Sequence, residues 1–247
     1  IVYGQINETN MSKWKFYKKN NISGMQPFDC ILETYFLTWY DGKLDVDDSV
    51  TSITRNLLRD TTIEYIVYFV RIVKYDGNGH ANVLMYSKHT NELERFDPLG
   101  AEYDPLLDDN LVSYFEKIIP SVKYISPNQY MSSVGFQKID LAENQNEYIG
   151  DPNGFCVSWS MWYVDTRISF PEIPRTKFIK HFIQQITEKH TKYRSFVRNY
   201  SANITKIRDD ILLKSSIDIN QFVNGEYNDD TLNILLNNIN TTLQKIL

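Results

Sequence analysis

Large apolar residues recur at helical spacing in CILETYFLTWY, Cys30 to Tyr40, with Asp29 placed to cap the run. The spacing predicts a helix. DGKLDVDD follows as an acidic loop, and SVTSITRNLLRD reads as a second, short helix. The pattern then changes. TIEYIVYFVRIVKY is dense in β-branched and aromatic residues, as a buried strand is. DGNG is a strong turn signal, HANVLMYS a second strand, KHTN a turn and ELERFD a third strand, together a meander. DPLLDDNLVSYFEKIIP predicts a helix stopped by Pro120, SVKYISP a short strand, and MSSVGFQKID one more strand. After the polar loop LAENQNEYIGDPNG, FCVSWSMWYVDTRI is apolar nearly all round, which predicts a buried helix. From Thr176 the chain reads as polar-faced helix with an apolar stripe of Phe178, Phe182, Ile183 and Ile186, and TLNILLNNINTTLQKIL resumes the helical pattern.

These elements predict an α+β fold: a central antiparallel or mixed sheet packed on a buried Cys-bearing helix, with helical N- and C-terminal flanks. The expected organisation is an N-terminal helical lead-in over 1–59, an α/β core over 60–170 and a helical region over 171–247, the last compact with the core. There is no internal repeat.

Composition narrows the function. The chain has 247 residues, is 42% hydrophobic and 14% aromatic, and so has enough apolar material for a substantial core. A net charge of −5 argues against a nucleic-acid partner. The most basic stretch, KHTKYRSFVRNY over 189–200, reads as the solvated face of a helix. No apolar run reaches the ~18 residues of a membrane span. Two cysteines far apart make no disulfide framework, which leads to the expectation of a reducing, cytoplasmic setting. The four histidines and two cysteines show no metal-ligand spacing, so neither metal nor cofactor is expected. The oligomeric state is open.

The candidate chemistry centres on Cys156. It follows an Asp-Pro-Asn-Gly turn and opens a helix-like run, and a helix N-terminus favours the thiolate, the reactive form of a thiol. His80 opens the second strand of the meander. Asp97 ends the third, and the fold-back through KHTN brings the two toward one end of the sheet. A carboxylate there fixes the imidazole tautomer and stabilises the imidazolium. Gln137, at the end of the last predicted strand, can offer an amide N–H to a developing oxyanion; Gln145 is the second candidate. Cys30, with Gln26 just upstream, is a rival nucleophile in papain-like order, though Asp29 beside it disfavours a thiolate.

The order His, Asp, Gln, Cys resembles that of the cysteine peptidases typified by the adenoviral protease and the ubiquitin-like-protein proteases. GHANVLMYSKHTNELERFDPLG is similar to their His–hairpin–Asp unit and NGFCVSWSMWY to their Cys helix. With SVGFQKID between them, the same blocks resemble uncharacterised proteins of large DNA viruses. The resemblance covers roughly residues 64–170. It departs at Ala81, where the family has Trp, and at Val157, where it has Gly; both glutamines also lie further from the cysteine than in the family. It implies a thiol protease in which Cys156 attacks, His80 moves the proton, Asp97 orients His80, and Gln137 assists the oxyanion. The implied substrate is a protein with a Gly-Gly-like tail: ubiquitin, a ubiquitin-like modifier or a viral precursor, in host cytoplasm or virion. Two other classes stay open: a YopJ-like acyltransferase using the same Cys-His-Asp set, and a non-catalytic viral interaction protein.

Overall fold

A computed structural model describes residues 36–73, 79–101, 104–143, 154–189 and 191–246. The described residues up to Arg198 belong to one compact unit, and Asn199 onward to a second.

The first unit is mixed α+β, built on a six-stranded sheet of order β2-β1-β3-β4-β5-β6. The strands are β1 Phe36–Tyr40, β2 Lys43–Asp45, β3 Tyr65–Val73, β4 Gly79–Ser87, β5 Glu92–Phe96 and β6 Lys123–Ile125. β1 runs parallel to β3 and β5 parallel to β6, while the other neighbours are antiparallel. The β3–β4–β5 meander is thus where the sequence pattern puts it.

Three stretches differ from their sequence reading. Phe36–Tyr40 is a strand, not a helix. Within it Leu37 and Trp39 are buried while Thr38 and Tyr40 are not, a period of two that is hard to tell from helical spacing over so few residues. Residues 29–35 of that predicted helix lie outside the described residues. The strand turns back through Asp41 and Gly42, both at positive φ, so the "acidic loop" is a hairpin with an Asp-Gly turn leading into β2. The third difference is Phe136–Ala142, a helix where MSSVGFQKID predicts a strand.

Alternation along the strands gives the sheet two faces. On one, Ile66, Tyr68, Val70, Leu84, Tyr86 and Leu93 form a core with Leu107, Leu111 and Phe115 of α2 (Pro105–Glu116) and Val50 of α1 (Asp48–Arg59). Side-chain caps start both helices: Asp47 accepts from Ser49 N, and Asp104 from Leu107 N ahead of Pro105. α3 is Phe136–Ala142 and α4 is Cys156–Ser169.

The other sheet face meets α4. Tyr163 stacks on Phe96 with ring centroids 4.0 Å apart, and Ser160 Oγ donates to the carbonyl of Ala81 at 3.5 Å. α4 is not buried all round: Cys156, Val157 and Ser158 are half-buried, and Met161 and Ile168 are exposed. Its Trp159 and Trp162 join Phe178 and Phe182 of α5 (Arg175–Glu188) and Tyr193 and Phe196 of α6 (Tyr193–Lys214) in an aromatic cluster. Beneath this lies a buried ion cluster. Glu94 on β5 pairs with Arg167 at 3.3 Å and with Arg175, and accepts from Tyr163 at 3.1 Å.

The second unit is helical. Leu212, Ile217 and Leu235 form its core, with α7 (Ile219–Asn224) opened by an Asp218–Gln221 capping box and closed by Gly225 at φ +67, and α8 spanning Asp229–Ile246. No described helix is long and apolar enough to cross a membrane.

Candidate functional site

β4 sets the first residue of the site. In its antiparallel register with β5, Val83 faces Phe96; continuing it places Asn82 opposite Asp97, with His80 two residues further along on the same face. His80 Nε2 lies 2.7 Å from Asp97 Oδ1. Both residues are buried, each 6% exposed. The same Asp97 oxygen accepts from Leu99 N at 2.8 Å, a short turn that aims the carboxylate.

Further buried charge stands behind Asp97. Arg95, buried at 1% exposure, holds its guanidinium 3.6 Å from Asp97 Oδ2. It donates to both oxygens of Asp108, at 2.8 and 3.3 Å, and to Asn82 Oδ1 at 2.7 Å. Tyr124 OH donates to Asp108 at 2.6 Å, and Tyr130 OH to the Arg95 carbonyl at 2.6 Å. These pairs desolvate together, which is what allows so many charged groups in one interior.

Cys156 is the first residue of α4, and its side chain stands near enough to His80 to act on the charge of that ring. Burial pushes the His80 imidazole down, but the bond to Asp97, the Asp97 charge and the nearby Cys156 outweigh it and raise His80 from 6.5 to about 9. Burial likewise pushes Asp97 up, and the hydrogen bond and charge of His80, with Arg95 behind, bring it below the usual carboxylate value. The pair is therefore held as imidazolium and carboxylate at neutral pH.

Gln137 joins them from α3, where it is the second helical residue rather than the end of a strand. Its backbone N donates to the Pro98 carbonyl at 2.9 Å, and Gly135 N to that of Leu99 at 2.9 Å, so the loop that follows Asp97 is bonded to the start of the Gln137 helix. The contact is backbone on backbone. At Gly100, φ +115, an added Cβ would lie 2.6 Å from Gly135 N and 2.8 Å from the Ser133 carbonyl oxygen. The Gln137 side chain is buried and turned toward the approach to Cys156: a Cβ on Gly154 would stand 2.5 Å from Gln137 Nε2. Gln137 Oε1 is buried with no hydrogen-bond partner.

Of the four sequence-derived residues, His80 on β4 and Asp97 at the end of β5 are hydrogen-bonded, Cys156 opens α4, and Gln137 on α3 lies beside Gly154, two residues before Cys156. The rivals Cys30, Gln26 and Gln145 lie outside the described residues, as do the DGNG turn apart from Gly79 and the Asp151–Asn153 part of the turn before Cys156. Sequence reasoning missed Arg95 and Gly154. The basic stretch 189–200 is a solvated face only in part: Lys189 and Lys192 are exposed, but Arg194 is buried and pairs with Asp140 of α3 at 3.4 Å. Among the described residues, no group of three or more His, Cys, Asp or Glu side chains is disposed to hold a metal ion.

No family model matches the sequence, and no solved structure matches it. A protein of Acanthamoeba polyphaga mimivirus, named for ankyrin repeats, is 32% identical over 204 residues, which is 76% of this chain and 26% of the relative. The chain spans about a quarter of the length of that relative. This finding overturns the identification with the adenoviral and ubiquitin-like-protein proteases, and with it the thiol protease cutting after a Gly-Gly-like tail. The sequence similarity runs instead to a viral protein named for ankyrin repeats. The short blocks around His80 and Cys156 reflect a shared order of residue types, which unrelated folds also reach.

Proposed function

We propose that this chain is a protein-interaction module of viral type that meets its bound partner with a thiol nucleophile, Cys156. The interaction half is supported by the similarity to the mimivirus protein. Ankyrin repeats are stacked helical units that bind along an extended concave surface. The first unit here is built on a sheet, so the proposal takes from the relative its class of partner, a protein, and not its repeat.

The chemical half rests on one observation: a buried, hydrogen-bonded His80–Asp97 pair with the Cys156 side chain near the same imidazole at the first turn of a helix. In this reading His80 holds the thiol proton as the sulfur attacks an acyl carbon of the partner. A C–S bond forms, the carbonyl oxygen takes up negative charge, and Gln137 Nε2 with the Cys156 backbone N–H stabilises it. As the oxyanion collapses, the leaving group departs with the proton from His80, and Cys156 is left acylated. Asp97 keeps the ring in the tautomer that serves the sulfur and offsets the imidazolium charge. The Gly-Gly-like tail is no part of the proposal.

A purely binding role, with the thiol idle, is the second reading, and the relative's name favours it. Acylation by 4-nitrophenyl acetate separates the two. The first reading predicts a nitrophenolate burst of about one equivalent, with the acetyl group on Cys156, absent in Cys156→Ala and reduced about a hundredfold in His80→Ala. A burst of equal size in Cys156→Ala contradicts it. For the interaction half, immobilised wild type and Cys156→Ala should retain the same protein from a cell extract. Retention no greater than that of an unrelated chain contradicts that half.

A further inference from the structure

The oxyanion side chain and the nucleophile sit on different helices, so something must fix α3 against α4. Gln137 and Asp140 lie three residues apart on α3, and Cys156 and Trp159 three apart on α4. Residues so spaced share a helix face one turn apart. At that second turn the helices are joined: Trp159 Nε1 donates to Asp140 Oδ2 at 2.6 Å, with both side chains fully buried.

Arg194 completes the junction. Its Nη1 lies 3.4 Å from the other Asp140 oxygen, its backbone N donates to Glu143 Oε2 at 3.1 Å, and its guanidinium stands 5.5 Å from the centroid of Phe155, the residue before Cys156. The aromatic rings around Trp159, from Phe136, Tyr193 and Phe196, supply apolar packing without strong directionality. The Asp140–Trp159 bond is directional, and it ties the Gln137 helix directly to the Cys156 helix.

We infer that the Asp140–Trp159 hydrogen bond, locked by Arg194, is a positioning device that sets the Gln137 amide against the Cys156 sulfur. The inference rests on the chemical half of the proposed function. Asp140, Trp159 and Arg194 act through Gln137 and Cys156 and touch no reacting atom.

Two reactions of the same thiol test it. Iodoacetamide alkylates Cys156 with no oxyanion and reads the His80–Cys156 pair. 4-Nitrophenyl acetate acylates through an oxyanion and reads Gln137 as well. Trp159→Phe keeps the ring packing and removes the N–H; Asp140→Asn keeps the shape and removes the charge.

The inference predicts alkylation within about threefold of wild type in both variants, acylation slower by about tenfold or more, as in Gln137→Ala, and no further loss in Trp159→Phe/Gln137→Ala. Unchanged acylation overturns it. So does an additive loss in the double variant, or a parallel fall of both reactions, whether from unfolding or from general loosening. Failure of the underlying reading looks different, because wild type itself then shows no Cys156-dependent acylation.

Discussion

At the residue scale, His80 and Asp97 were legible because their chemistry is written in residue type and their proximity in a short hairpin. What the pattern could not give was the register that makes the contact 2.7 Å. Their shared proton makes stability depend on pH. His80 binds its proton more tightly in the folded chain, about 9 against 6.5, so its contribution is full below pH 6.5 and is lost as pH rises toward 9. Asp97 is shifted the other way, so its contribution is lost only as pH falls below about 3.8. The difference in unfolding free energy between wild type and His80→Ala should therefore shrink from pH 6.5 to 9, by on the order of 3 kcal/mol. Denaturant titrations at the two pH values check this, and a constant difference contradicts it.

Gly154 was invisible to the sequence reading because it looked like one more turn residue. Its role is space: there is no room for a Cβ beside Gln137 Nε2. The atom it would strike is the mobile end of a side chain, so Gly154→Ala should cost little stability, under about 1 kcal/mol. It should instead displace the amide and slow acylation by about tenfold. Melting temperature and nitrophenyl acetate kinetics, measured side by side, separate the two effects.

At the element scale, long patterned segments were read correctly, and two short ones were not. β3, with nine residues, and α2, with Leu107, Leu111 and Phe115 on one side, carry enough periods to identify themselves. Phe36–Tyr40 and Phe136–Ala142 are too short for period two and period 3.6 to separate, and the sheet and the Pro98 carbonyl decide their form. Arg194 was hidden for another reason: its partner Asp140 comes from a distant element, and a lone basic residue in a basic stretch gives no sign of burial.

The junction between the Asp97 loop and α3 makes an element-scale prediction. Gly100→Ala would need a left-handed backbone and would press a methyl into Gly135 and the Ser132 and Ser133 carbonyls, none of which can swing aside. It should destabilise the first unit by about 2–4 kcal/mol and lower acylation with it. Urea titration followed by tryptophan fluorescence measures the loss; a midpoint equal to wild type contradicts the close-packed junction.

At the scale of the whole molecule, the α+β class was readable because strands and helices come in separate runs. The function was less so. Residue order alone led to a peptidase family, and the similarity over 204 residues led elsewhere, to a longer mimivirus protein. A triad order is short enough to recur; extended identity is not. What joins the two lines is the site itself, a thiol at a helix start and a buried His80–Asp97 pair in a chain similar to a protein named for ankyrin repeats.

The most direct test of that account is the rate at which iodoacetamide modifies Cys156 at pH 6, read by peptide mass spectrometry in wild type, His80→Ala and Asp97→Asn. An imidazolium and carboxylate beside the sulfur favour its attack, and each substitution removes one of them. The account predicts that wild-type Cys156 is alkylated at least about tenfold faster than in either variant, with all three folded by circular dichroism. Equal rates in the three proteins would contradict it and leave Cys156 as an ordinary thiol beside a structural histidine.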